Sequence, residues 1–232
     1  SVVDRYGSKA TILVMSDHGF CNFRRQFNVN TWLRDQGYLG PSDCRSLLNP
    51  GAGRLVDWAR TRAYGMGLNG LYLNMRGRER DGIVEPSERE ALLEEIRGKL
   101  LAVRDPLDGQ PVIAEVYRSD KVYSGPFAAT GPDLVIGYNR GYRASWATTQ
   151  GDLEDEVISK NDSEWSADHC IAADQVPGVI FSNRPILHRA PSLIDLAPTI
   201  LEEFAVPVPE VMKGKSLFKP VTAGVTNAAG KE

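Results

Sequence analysis

The sequence predicts an α/β domain with a mainly parallel central sheet and helices on both faces, and three observations predict it. An apolar run at 12–15, after Thr11, lacks the polar alternation of a half-exposed strand; strands of that kind are covered on both faces, as in parallel sheets. Further short apolar strands recur at 71–73, 134–138 and 178–181. Between them, residues 86–103 carry Leu92, Leu93, Ile96, Leu100 and Leu101 at helical spacing, an apolar stripe of the sort that packs across a sheet.

The chain has 232 residues, 42% hydrophobic and 25% charged, enough for one sizeable core or two small ones. A net charge of -3 provides no basic stripe for a polymeric nucleic acid, whereas a small phosphorylated partner is compatible with it. No stretch reaches the roughly 20 apolar residues that span a bilayer, and no basic-then-apolar leader opens the chain. The composition is that of a soluble globular protein; a targeting signal, if any, would lie upstream of Ser1. Cys21, Cys44 and Cys170 are too scattered for a disulfide framework. A Cys21–Cys44 bridge is feasible, with reduced thiols as the expected state.

Taken in order, Val2, Val3 and Tyr6 mark a short helix that exits through Gly7-Ser8-Lys9 into the strand at 11–16. Residues 28–37 fit a packing helix with Asn28 as N-cap, Val29, Trp32 and Leu33 inward, and Gly37 as its stop. Residues 38–69 and 139–165 are expected as excursions near the rim of the site. For the helix at 86–103, Pro86 suits the first turn, and Ser87 with Glu90 match a capping box. Residues 111–123 alternate like a strand. At 191–204 a helix is expected with Leu193, Leu196, Ile200 and Phe204 inward and a distortion at Pro198. Residues 1–220 are read as the α/β domain and 221–232 as a flexible tail.

The chemistry gathers where the first strand ends. Asp17 and His18 follow it directly, and α/β folds place ligands beyond the carboxyl ends of their strands. A carboxylate and an imidazole suit a divalent metal. Of the other two histidines, His169 follows Asp168 in a loop suited to a ligand, and His188 reads as an ordinary surface or packing residue. No Ser, Thr or Cys offers itself as an activated nucleophile: Ser16 ends the strand facing away, and Cys170 reads as a buried structural thiol. Arg76, Arg78 and Arg80 could grip phosphate, but solvated loop charge is the preferred reading.

The segments VMSDHGF at 14–20, WSADH at 165–169 with VPGVIFSN behind it, and LIDLAPTILEEFAVPVPEVMKGKSL at 193–217 resemble the C-terminal part of the alkaline phosphatase superfamily. The branch they resemble is the type I phosphodiesterase/nucleotide pyrophosphatase family. The resemblance implies an alkaline-phosphatase-like fold and hydrolysis of phosphodiester or pyrophosphate bonds. It also implies two divalent metal ions, zinc or alternatively manganese. Asp17 and His18 would ligate one metal and His169 the other. The family's nucleophile and remaining ligands lie upstream of the 14–20 motif, so the resemblance further implies an incomplete site and a chain inactive by itself. Alternatives are a phosphomonoesterase, sulfatase or phosphonate hydrolase of the same superfamily, or a non-catalytic binding or structural remnant.

Overall fold

The structure, a computed structural model, describes residues 1–40 and 56–219. Cys44, part of the 38–69 excursion and the expected tail at 221–232 lie outside the described residues. In chain order the strands are β1 (Leu13–Met15), β2 (Cys21–Phe27), β3 (Ala63–Met66), β4 (Gly70–Leu73), β5 (Ile113–Arg118), β6 (Leu134–Tyr138), β7 (Gly141–Ala144), β8 (Ile158–Lys160), β9 (Ala167–Asp168) and β10 (Ile180–Ser182). The α-helices are α1 (Val2–Tyr6), α2 (Val29–Asp35), α3 (Arg89–Leu101), α4 (Ser119–Val122), α5 (Trp146–Gln150) and α6 (Leu196–Glu203). They form a mixed α/β chain in two compact units, one of His18–Pro177 and one of Ser1–Asp17 with Gly178–Glu232.

The larger unit contains the main apolar core. One sheet runs β3-β4-β6-β5, and each adjacent pair in it is antiparallel. The stripe of α3 is buried as its spacing predicts, with Leu93, Ile96 and Leu100 fully inaccessible alongside Leu71, Leu73 and Leu134. The helix is entered by a 3-10 turn, Pro86–Glu88, so its capping box falls on Glu85 and Glu88 rather than on Ser87 and Glu90. In α2, Val29, Trp32 and Leu33 are buried and Gly37 has a φ of 80°. The Asn28 side chain does not cap that helix; it donates to the Glu156 carbonyl and Ser159 Oγ instead.

A second sheet has the order β7-β2-β8, with β9 also paired to β2. Here the expectation of a mainly parallel sheet is corrected: among the described strands only β2 and β7 run parallel. Local connection decides this at β3 and β4, which are joined through Gly67 at a φ of 73°. A hairpin link that short permits only antiparallel pairing, because parallel neighbours need a crossover of about a dozen residues or more.

In the smaller unit, β1 pairs antiparallel with β10. The apolar run was expected to be covered on both faces, yet Val14 is 58% and Met15 40% exposed. A two-stranded ribbon has no layer on either side to bury such faces. The helix α6 differs in the same sense, since Leu193, Ile200 and Phe204 are exposed. Pro198 does not distort it: α6 begins at Leu196, which puts the proline in the first turn, where the missing N–H would have had no intrahelical partner. Asp195 anchors the unit's loop by accepting from the backbone N–H groups of Ser192 and Lys215, and Thr199 Oγ1 accepts from Leu217 N.

Candidate metal centre

The segment after His18 approaches His169 through strand pairing. Cys21 lies opposite Asp168 and Asn22 opposite Ala167 in the β2–β9 ladder. A bridge between His18 and Pro177, and a 2.9 Å bond from Gly19 N to the Val176 carbonyl, hold the other flank. The two imidazoles thereby stack face to face, with centroids 3.7 Å apart and planes within 4° of parallel. Phe20 meets both rings edge-on, at 5.3 and 5.5 Å.

The stack determines what the rings can do. An imidazole lone pair lies in the ring plane, so two parallel rings present donors in two separate planes and are poorly placed to chelate one ion together. His18 Nδ1 lies 3.0 Å from the Gly19 carbonyl oxygen. A carbonyl only accepts, so Nδ1 is the donor in this contact. Asp17, adjacent to His18 in sequence, ends its segment of the other compact unit.

His169 is positioned by a residue the sequence reading did not single out. Asp168 Oδ1 accepts from the backbone N–H groups of His169 and Cys170 at 2.7 and 3.0 Å. Its other oxygen pairs with Arg143 at 3.0 Å. Arg143 is only 1% exposed, although it is the largest of the fully buried side chains; its guanidinium also lies against the Phe23 and Trp146 rings, 5.1 and 4.5 Å from their centroids. Burial alone would raise the Asp168 carboxyl, but the Cys170 N–H, the Arg143 charge and the His169 N–H outweigh it and hold the group below its ordinary value. The sequence signal for this device was weak: a lone arginine in a polar stretch reads as surface charge.

The potential ligand atoms of Asp168, His169 and Cys170 lie within 4.8 Å of one another. Asp168 is already occupied by an ion pair and two N–H groups. Burial, followed by the Asp168 charge, pushes the Cys170 thiol up to about 11, so as a free thiol it stays protonated at neutral pH and is no activated nucleophile. Ser16 Oγ is used structurally, accepting from Val179 N at 3.1 Å. His188 Nδ1 lies 4.0 Å from Asp195 Oδ2. Arg76 pairs with Glu85, and Arg78 is bound to the buried Asp133 together with Arg89. Those two arginines of the 76–80 run are cross-links rather than a phosphate grip.

As a class, then, this is a mixed α/β protein in which two histidine rings from separate parts of the chain are stacked together. Residues 3–165 match the type I phosphodiesterase / nucleotide pyrophosphatase family. That is well over half of the chain, which belongs to this family. Its chemistry is of the phosphodiester and pyrophosphate hydrolase type, and its members typically depend on divalent metal ions. No curated protein and no solved structure matches the chain.

Proposed function

We propose that the chain forms part of an alkaline-phosphatase-like hydrolase of phosphodiester or pyrophosphate bonds in a small phosphorylated substrate. His18 and Asp17 would serve one divalent ion and His169 a second, with zinc as the expected metal and manganese as the alternative. The observation that carries the reading is the parallel imidazole stack. Its 3.7 Å spacing offers donors in two planes about as far apart as the roughly 3.5–4 Å between ions in two-metal hydrolases. When bound, such ions neutralise charge on the phosphoryl oxygens. The chain's own residues orient that pair: Gly19 O accepts from His18 Nδ1, Asp168 and Arg143 hold the His169 backbone, and Phe20 walls off one edge of both rings.

Activity would need further polypeptide to supply the nucleophile and remaining ligands. Two features support this. Ser16 and Cys170, the hydroxyl and thiol nearest the histidines in sequence, are committed elsewhere or protonated. The strand leading to Asp17 also has apolar side chains, Val14 and Met15, left open to solvent, as expected of an element designed to be covered. Zinc titration tests the ligands: with both coordination spheres incomplete, the purified chain should bind zinc weakly, His18→Ala and His169→Ala should each weaken that binding further, and equal binding by all three proteins would sink the assignment. Phosphodiester turnover above background by the 232-residue chain would refute its incompleteness.

A further inference from the structure

A cavity of about 600 Å³ lies in the larger unit, on the β3-β4-β6-β5 sheet and beside the loop that carries His169. Every described residue that lines it is uncharged. Tyr72, Tyr117 and Tyr123 contribute rings to its lining, with Leu68, Val122 and Cys170 beside them. Cys170 is the residue after His169, and its sulfur lies within 4.8 Å of a ring nitrogen of that histidine. The Asn69 amide donates to the Cys170 carbonyl at 3.2 Å, which ties the cavity wall to the ligand loop.

Two glycines make the space. A Cβ on Gly137 would come within 3.0 Å of the Tyr117 ring and 3.1 Å of the Ala172 side chain. One on Gly70 would meet the Tyr72 ring at 3.2 Å. Neither glycine has a positive φ, so the backbone does not require glycine at either site. Gly137 provides room for the Tyr117 ring to lie close over its strand, while at Gly70 the Met66 carbonyl oxygen, 2.9 Å from such a Cβ, is nearer still than the Tyr72 ring; a glycine inside a strand commonly marks such a close approach.

We infer that this cavity binds a flat, uncharged aryl group, the organic substituent of the phosphate ester whose phosphoryl group is handled at the histidine pair. The second half of that statement rests on the function proposed above. Three features select the ligand. No cation lines the cavity to meet a phosphate, so the charged part of the substrate belongs outside. Aromatic faces favour stacking partners, and the volume falls in the range of small-molecule pockets, roughly 300–1,000 Å³. Hydrogen-bonding capacity then separates a simple aryl ring from a nucleobase. The Asn69 amide nitrogen is already engaged with the Ile136 and Cys170 carbonyls, so among the lining side chains the tyrosine hydroxyls are the main polar groups left, fewer than the several polar edges of a nucleobase call for.

The experiment uses the 232-residue chain and two phosphate-free probes, 2-naphthol and adenosine, each titrated by ligand-observed NMR at pH 7. Saturable naphthol binding is expected, at least tenfold tighter than adenosine and weakened at least tenfold in Tyr117→Ala. Val122→Lys repeats the test at a residue 52% exposed, where a charge enters the lining with little consequence for folding. No saturable naphthol binding, equal or tighter adenosine binding, or unchanged affinity in two folded variants would overturn the inference. Neither probe contacts metal, so zinc binding by the wild type and the histidine variants reports separately on the proposed function.

Discussion

The buried Arg143–Asp168 pair makes a quantitative prediction, because its two members fail differently when orphaned. In Arg143→Met the Asp168 carboxylate keeps its bonds to the His169 and Cys170 N–H groups and can escape its charge by taking a proton. Breaking a buried pair costs about 3–5 kcal/mol, and this variant belongs near 3. In Asp168→Leu the stranded guanidinium cannot lose its proton and two backbone donors lose their acceptor, so the cost should approach 5. Replacing both removes the orphan in either case, and the double variant should therefore be less destabilised than the sum by about 2 kcal/mol or more. All four tryptophans of the chain, Trp32, Trp58, Trp146 and Trp165, lie in the larger unit, so urea titration followed by tryptophan fluorescence reads that unit alone. Single-variant losses below about 1 kcal/mol, or additivity within about 0.5 kcal/mol, would refute the reasoning. The pH dependence has a definite sign. The folded Asp168 value is lowered, so its contribution is complete above the unfolded carboxylate value of about 4 and disappears as pH falls through the folded one. Removing Arg143 should shift that acid limb to higher pH.

Leu93→Ala removes a fully buried side chain from the α3 stripe and should cost about 2–5 kcal/mol in the same titration, with a smaller loss indicating that the core collapses around the site. Gly178→Ala would place a methyl group 2.4 Å from the Ser16 carbonyl oxygen. The β1–β10 pairing should then loosen, read as at least tenfold faster hydrogen exchange at Ser16 N, which donates to Val179 O in the native ladder. Pro198→Ala should leave the α6 backbone bonds intact, because the first helical turn needs no N–H there; the ring is buried, so the expected loss is about 1 kcal/mol of packing, and a gain in stability would show that the proline strains the turn.

What was legible in the sequence followed from side-chain periodicity and from position. The α3 stripe, the buried face of α2 and the strand at 134–138 were all recoverable, because each buries its apolar residues against a single core. His18 and His169 were also legible as a pair of candidates, one after an apolar strand and one after an aspartate, and the fold brings their rings together. Strand β2 was not. Its sequence, Cys21 through Phe27, has three polar or charged residues between Phe23 and Phe27, and a register shift between Phe23 and Arg25 breaks the alternation that would have marked it. Yet β2 pairs with β7, β8 and β9 at once, and its pairing with β9 carries His169 to His18.

The direction of the sheets was hidden for a related reason. An apolar run states that a strand expects cover on both faces, but it does not say whether a parallel neighbour, an antiparallel ribbon or another layer supplies it. At β1 the described residues supply only an antiparallel partner, and Val14 and Met15 remain open. The buried polar pair shows the converse. Arg143 lies on β7, the parallel neighbour of β2, and Asp168 on β9, its antiparallel neighbour. The ion pair therefore bridges strands on either side of a polar central strand, and hydrophobic patterning is blind to all three of these elements. The imidazole geometry thus depends on the part of the chain least visible to that patterning, so substitutions at Arg143 should disturb the His169 loop more than any loss of apolar contact nearby would suggest.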